Sequence, residues 1–306
     1  MIRRRSPIRF RRRWRDWLSA YGLALPFFVV LGVFVIYPIA QSIVLSFQDF
    51  SYLKPNAASW VGLGNYRELV SDRTFRRAAW NTILLTALVV PIQTGIALLL
   101  ASALNARIRA RGFFRTIYFL PYITAPVAVG AIMVVLFQRR GIVTMLLHEL
   151  VGTPLVTWYA RPPYAFILVV FVLIWTQVGF FTVLYLAGLQ NIGKDVYEAA
   201  AVDGAGARQR FRYVTVPLLR PTSFLVVVIG IIVTLQVFEQ PFVLSTTGGA
   251  LPGSPGDSTL TMVMYLYTEA FRYFDMGIAA AAALVIFVVI VAFTLLLVAL
   301  QRRAEA

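Results

Sequence analysis

The 306-residue sequence predicts an all-α membrane protein with six transmembrane helices, and three observations carry that prediction. Hydrophobic residues make up 59% of the chain and charged residues only 13%, against about 45–50% and about 25% in ordinary soluble domains. The uncharged residues gather into six long runs, and Lys and Arg concentrate in alternate segments between them. So few charges cannot cover so much apolar surface in water, which argues against a soluble enzyme and against a disordered chain. The absence of cysteine removes disulfide scaffolds, zinc ribbons and thiol catalysis. A single histidine, His148, argues against a histidine-built metal site.

The runs free of Asp, Glu, Lys and Arg cover 17–48, 78–106, 116–138, 162–193, 221–238 and 276–301. A hydrocarbon core about 30 Å thick needs roughly 20 apolar helical residues. The first run follows a basic start, but its apolar stretch exceeds the core of a cleaved signal peptide, so it reads as an anchor. The second and third contain Pro91, Pro121 and Pro126, which remove backbone donors and either shape a cavity or kink the helices. The fifth is the shortest, with 18 residues before Glu239, and its apolar character resumes through Leu244. Ala279–Leu300 in the sixth is apolar on every face. Barrel strands would alternate, and a helix satisfies its own backbone in lipid.

The net charge of +15 would suggest nucleic acid in a soluble protein, but here it reads as a topology signal. With the N-terminus inside, segments 1–16, 105–115, 190–220 and 301–306 hold 19 Lys and Arg, against 9 in 49–77, 139–161 and 245–275. That bias puts both termini in the cytoplasm of a multi-pass plasma-membrane protein. The chain divides into a basic N-terminus (1–16), a first transmembrane helix (17–48), an external loop (49–77), a five-helix core (78–301) and a short tail (302–306). Arg3–Arg15 then contacts anionic lipid rather than nucleic acid.

Among the loops, 139–161 is apolar enough for a short interfacial helix, and 245–260, rich in Gly and Pro, reads as a flexible outer loop. Segment 190–220 is the most informative. Asp195–Val202 reads as a short helix bearing Ala199, Ala200 and Ala201, and Asp203-Gly204-Ala205-Gly206 punctuates it. Ala207–Val214 reads as a second helix, ended by Pro217 and Pro221. Small side chains on a helix-turn-helix beside the membrane suit close docking on another protein.

Glu198-Ala199-Ala200, three intervening residues and Gly204, then nine more before Val214 and Val216-Pro217, resemble the EAA loop of membrane subunits of ABC importers. The family usually has Ile and Leu at its last apolar positions, where this chain has valine. Tyr197-Glu198-Ala199-Ala200 with Asp203-Gly204-Ala205 is similar to the carbohydrate-uptake branch, the maltose, lactose and glycerol-phosphate type of permease. Leu23-Ala24-Leu25-Pro26, Gly62-Leu63-Gly64-Asn65-Tyr66, Asn81-Thr82, Ala187-Gly188-Leu189-Gln190 and Thr247-Gly248-Gly249 add to the likeness. The resemblance implies the MetI-like permease fold and no catalysis in this chain. It implies a second homologous permease, two ATPase subunits that bind ATP and Mg²⁺, and an extracytoplasmic binding protein that delivers a carbohydrate. Glu198, Ala199, Ala200, Asp203, Gly204 and Pro217 are its implied ATPase-coupling residues.

Competing motifs fail on their chemistry. Gly188 to Lys194 fits GxxxxGK, but Asp195 replaces the Ser or Thr that a phosphate loop places on Mg²⁺. His148-Glu149 lacks the second histidine of a zinc-protease helix. A self-sufficient secondary transporter or channel is the alternative, and it calls for inverted repeats or charged relays within the spans. Candidate pathway residues are Trp175, Gln177 and Tyr185 in the fourth span and Gln236, Glu239 and Gln240 in the fifth, the last three on one helix face. Amides, carboxylates and aromatic faces together match a sugar's hydroxyls and ring. Glutamines that merely bond neighbouring helices are the competing explanation.

Overall fold

A computed structural model describes residues 8–54, 56, 58–105 and 111–305. The first expected span is one rod. Helix α1 (Ile8–Leu31) passes through a π-turn at Gly32–Ile36 into α2 (Tyr37–Leu45). Its membrane-crossing part, Ala20–Leu45, buries nothing within the chain. A two-stranded antiparallel hairpin, β1 (Gln48–Asp49) and β2 (Ser59–Trp60), leads to α3 (Gly64–Ser71). There Gly62-Leu63-Gly64-Asn65-Tyr66 acts as a clamp. The Asn65 amide donates to the Ser46 and Gln48 carbonyls at 3.0 and 2.9 Å, and the Tyr66 hydroxyl donates to Ser46 Oγ at 2.8 Å. The Asn65 bonds satisfy the Ser46 carbonyl at the C-cap of α2 and the Gln48 carbonyl of β1.

The second span is α4 (Arg73–Asn105), which runs unbroken through Pro91 and starts five residues before the expected core boundary at 78. The third differs from the single helix expected over 116–138. Helices α5 (Arg111–Ile123) and α6 (Pro126–Leu136) meet at a 98° bend. Pro126 has no N–H and disfavours helical geometry at Ala125, which sits at φ −54°, ψ 128°. Helix α7 (Ile142–Val151) is the short element expected in 139–161.

The fourth span, α8 (Pro162–Gln190), is the centre of the bundle and packs along α4. Leu168, Val169, Val172 and Leu173 are fully buried against Leu85 and Val89 of α4 and Val129 and Met133 of α6. Close approach needs glycine: a Cβ on Gly179 would lie 2.0 Å from the Tyr118 carbonyl oxygen of α5. Small residues at contacts of this kind replace the hydrophobic driving force, which lipid does not supply.

The loop that follows holds α9 (Lys194–Val202), α10 (Ala207–Arg210), a π-turn (Phe211–Thr215) and α11 (Val216–Leu218). Pro217 and Pro221 therefore do not stop the second short helix. Pro217 is carried inside helical backbone that runs on from the π-turn to Leu218, and Pro221 occupies the first turn of α12, where a missing N–H costs nothing. The fifth span is α12 (Arg220–Leu235), a break at Gln236–Phe238, and α13 (Glu239–Ser245). Helix α14 (Met262–Thr268) and a π-turn (Glu269–Tyr273) precede the sixth span, α15 (Met276–Glu305).

The Gly- and Pro-rich segment 245–260 is folded onto the bundle rather than free. The Asn81 amide of α4 donates to the carbonyls of Asp257 and Leu260 at 2.7 and 3.0 Å, and the Met262 N–H donates to Thr82 Oγ1 at 3.0 Å. Among the described residues five helices are thus long and apolar enough to cross a membrane, six if the bent α5–α6 pair counts as one span. Residues 1–7, which carry part of the basic N-terminus, and 106–110 lie outside the described residues.

Candidate functional site

The break in the fifth span is built by the sequence. A helix continued through Glu239 would direct the N–H of residue 241 to the Val237 carbonyl, but residue 241 is proline. The chain departs from helix at Gln236 (φ −99°, ψ 9°) and Phe238 (φ −135°, ψ −56°), then restarts with Pro241 in the first turn of α13. The freed Val237 carbonyl accepts a 3.0 Å hydrogen bond from Thr261 Oγ1, itself fully buried at the start of α14. Irregular backbone at membrane depth is tolerated where protein satisfies it in this way.

Gln236, Glu239 and Gln240 consequently do not lie along one continuous helix face, as the three-and-four spacing suggested. They flank the break. Gln236 and Glu239 are exposed and Gln240 is half-buried. Beside them runs an aromatic ladder. Phe238 stacks on Phe242 with ring centroids 4.9 Å apart, both rings meet Tyr267 at 5.0 and 5.3 Å, and Tyr267 meets Phe271 at 5.1 Å. Partly open aromatic faces next to exposed amide and carboxylate groups can hold a ligand with both hydroxyls and an apolar ring face. The sequence reading missed this ladder, although Phe238, Phe242 and Tyr267 lie within thirty residues of one another.

The fourth-span candidates divide. Trp175 is 38% exposed, whereas Tyr185 is fully buried. The Tyr185 ring packs with Ala97, Ala101, Phe181 and Val226, so it is a core residue here and not a wall of a pathway. Gln177 is likewise buried, at 7% exposure, between the helices. The polar character of both residues was legible in sequence, but the direction in which each points was not.

The second site is the loop after α8. Helix α9 buries none of its residues: Glu198 and Ala199 are exposed, Ala200 is half-buried, and Val202 is 88% exposed. Gly204 has φ +79°, and the chain turns sharply there, with the Ala205 N–H donating to the Ala200 carbonyl at 2.9 Å. A Cβ at Gly204 would touch nothing within 4 Å, so its requirement for glycine is conformational. Asp203 caps α9, its N–H donating to the Ala199 carbonyl at 3.0 Å. The two arms are tied where Tyr197 Oη lies 3.1 Å from Thr215 Oγ1. Pro217 in α11 links this turn to the fifth span. An exposed helical hairpin tied directly to a membrane helix can transmit a push made at its tip.

Residues 93–306, which include both sites, match the family described as the binding-protein-dependent transport system inner membrane component. The chain belongs to that family. The permease is 34% identical over 265 residues to the lactose transport system permease protein LacF of Rhizobium radiobacter, with 86% of each chain covered. It is 33% identical over 276 residues to the arabinooligosaccharides transport system permease protein AraP of Bacillus subtilis, covering 88% of this chain and 85% of that one. With the trehalose/maltose transport system permease protein MalF of Thermococcus litoralis it shares 30% identity over 295 residues, covering 95% and 96%. Among solved structures it superimposes with a TM-score of 0.81 on a chain of a bacterial ABC transporter involved in import of the acidic polysaccharide alginate. There the identity is 25%, and the match covers 96% of the permease and 98% of that chain. The permease superimposes with the same TM-score of 0.81, at 25% identity and covering 96% and 97%, on a chain of a bacterial alginate ABC transporter in complex with an alginate pentasaccharide-bound periplasmic protein. The fold of the permease is that of an ABC importer membrane subunit.

Proposed function

We propose that the permease is one membrane half of an ATP-driven importer of a carbohydrate: a sugar, oligosaccharide or polyol. A second, similar permease completes the translocation path. Two ATPase subunits, which bind ATP and Mg²⁺, seat the α9 hairpins, and an extracytoplasmic binding protein delivers the substrate. Closure of the ATPase pair pushes α9, and the push reaches α12 through α11, so that the path opens alternately to the two sides of the bacterial plasma membrane. Both termini lie in the cytoplasm, as the charge bias indicates.

The observation that carries this reading is the bare α9 hairpin, with Val196 and Val202 exposed at its surface and Glu198 beside them. Glu198, Ala199, Ala200, Asp203, Gly204 and Pro217 form the coupling element. The first span supports the second permease, because α2 packs on α15 yet no residue of Ala20–Leu45 is buried within the chain. Carbohydrate as the substrate class is supported by the relatives and by the aromatic ladder with Gln236, Glu239 and Gln240. Trp175 is partly exposed on α8, while Gln177 and Tyr185 are buried in its packing. Glu198→Lys is expected to abolish uptake of the transported sugar while the chain stays in the membrane at its normal level. Normal uptake at normal abundance would show that the hairpin does not couple.

A further inference from the structure

We infer that the permease carries a binding site for the phosphate headgroup of an anionic phospholipid, set between the coupling loop and the fifth span. A hollow of about 550 Å³ is lined by Arg208, Arg212 and Arg220 together with Phe211, Tyr213, Val216 and Pro217. Arg208, Arg212, Val216 and Arg220 recur every four residues. On a straight α-helix that repeat would drift about 120° around the surface over twelve residues. The π-turn at Phe211–Thr215 inserts an extra residue between Arg208 and Val216 and takes back drift there, the chain leaves helical geometry at Leu219 before α12 begins, and all three arginines line the one hollow.

Two features select the occupant. The first is charge: the loop's acids, Asp195, Glu198 and Asp203, form no ion pair with these arginines, and none occurs among the described residues. Three exposed arginines lining one hollow without a paired carboxylate favour an anion with several oxygens, and planar guanidinium matches phosphate in a bidentate fashion. The second is depth: Arg220 opens the membrane-spanning helix, which sets the hollow at the bilayer boundary. Its flanks fit that level, with Tyr213 70% and Leu218 48% exposed, as expected of side chains in the interfacial belt. Val216 and Pro217 add an apolar floor on which the glycerol and the start of the acyl chains can rest. Basic pockets at helix ends on the cytoplasmic side recognise lipid phosphates by this chemistry. A lipid held here touches the coupling loop and α12 together, so it stiffens the joint through which a push on α9 reaches the span.

The test uses the transporter purified with the subunits that accompany it, in nanodiscs of phosphatidylcholine containing a small fraction of phosphatidylglycerol. Retained lipid is counted by native mass spectrometry, a readout independent of ATP hydrolysis. Arg212→Gln with Arg220→Gln is expected to weaken phosphatidylglycerol retention roughly ten- to thirty-fold. Arg212→Lys with Arg220→Lys is expected to keep much of it, which separates lost charge from misfolding. Arg302→Gln with Arg303→Gln, at the end of α15, is expected to leave retention unchanged. Inorganic phosphate at millimolar concentration is expected not to displace the lipid. Equal retention by the glutamine variant overturns the inference. So does displacement by inorganic phosphate, which would make this a small-anion site, or loss of a co-purifying ATPase with lipid retention intact, which would make the arginines part of a protein interface.

Discussion

Gly204 shows how much one residue can decide. At φ +79° a side-chain-bearing residue costs about 1–2 kcal/mol, and least for asparagine, whose short amide is tolerated in the left-handed region. No neighbour lies within reach of a new Cβ, so the cost falls on the backbone turn alone. Gly204→Leu is therefore expected to lower uptake at least about tenfold with normal membrane abundance, and Gly204→Asn to retain most of it. Loss of equal size in both variants would point to a contact made by the glycine face itself. Glu239, exposed beside the aromatic ladder, belongs to the same scale. Glu239→Ala is expected to change substrate-stimulated ATP hydrolysis several-fold in the assembled transporter without loss of assembly. An unchanged substrate response would remove Glu239 from the path.

Elements are where sequence and structure part company. The charge-free runs located the spans because a membrane selects for apolar length, but a run without charge says nothing about straightness. Pro126 was a visible warning of the break between α5 and α6, whereas Pro241 carried an equal signal for the fifth span and was overlooked. The segment before α14 reads as a flexible loop from its glycines and prolines. It is fixed by Asn81, Thr82 and Thr261, two of them far away in sequence, and a one-dimensional pattern cannot reveal such bonds.

The same region has a pH response. Burial first, then the nearby charges of Asp275, Asp72 and Glu68, raise the Glu269 carboxyl from 4.5 to about 7, while a hydrogen bond with Tyr265 acts the other way. The folded state thus holds a proton that the unfolded chain has released. Stability falls as pH rises from 4.5 to about 7 and changes no further above that window. The melting temperature of the purified transporter should decline over this range, and Glu269→Gln should flatten the decline. An identical slope in both proteins would assign the effect to other groups.

At the scale of the whole molecule, the chain leaves large apolar surfaces uncovered. The Ala20–Leu45 rod buries nothing, Val202 stands 88% exposed at the coupling tip, and residues such as Phe287 and Leu295 leave α15 largely bare on one side. Lipid can cover the spans, but it cannot cover a hairpin that projects from them. Family membership was legible from the spacing of Glu198, Gly204 and Pro217, because a short loop carries its pattern at fixed intervals along the chain. The substrate path was less legible, since it depends on which way Gln177, Tyr185 and Gln236 face once the helices pack. The most direct measurement is purification of the tagged chain from its native membrane in mild detergent, with mass spectrometry of the proteins that accompany it. The account predicts recovery of a second six-span permease and an ATPase. A stable, monodisperse chain recovered alone, and able to transport when reconstituted alone, would contradict it.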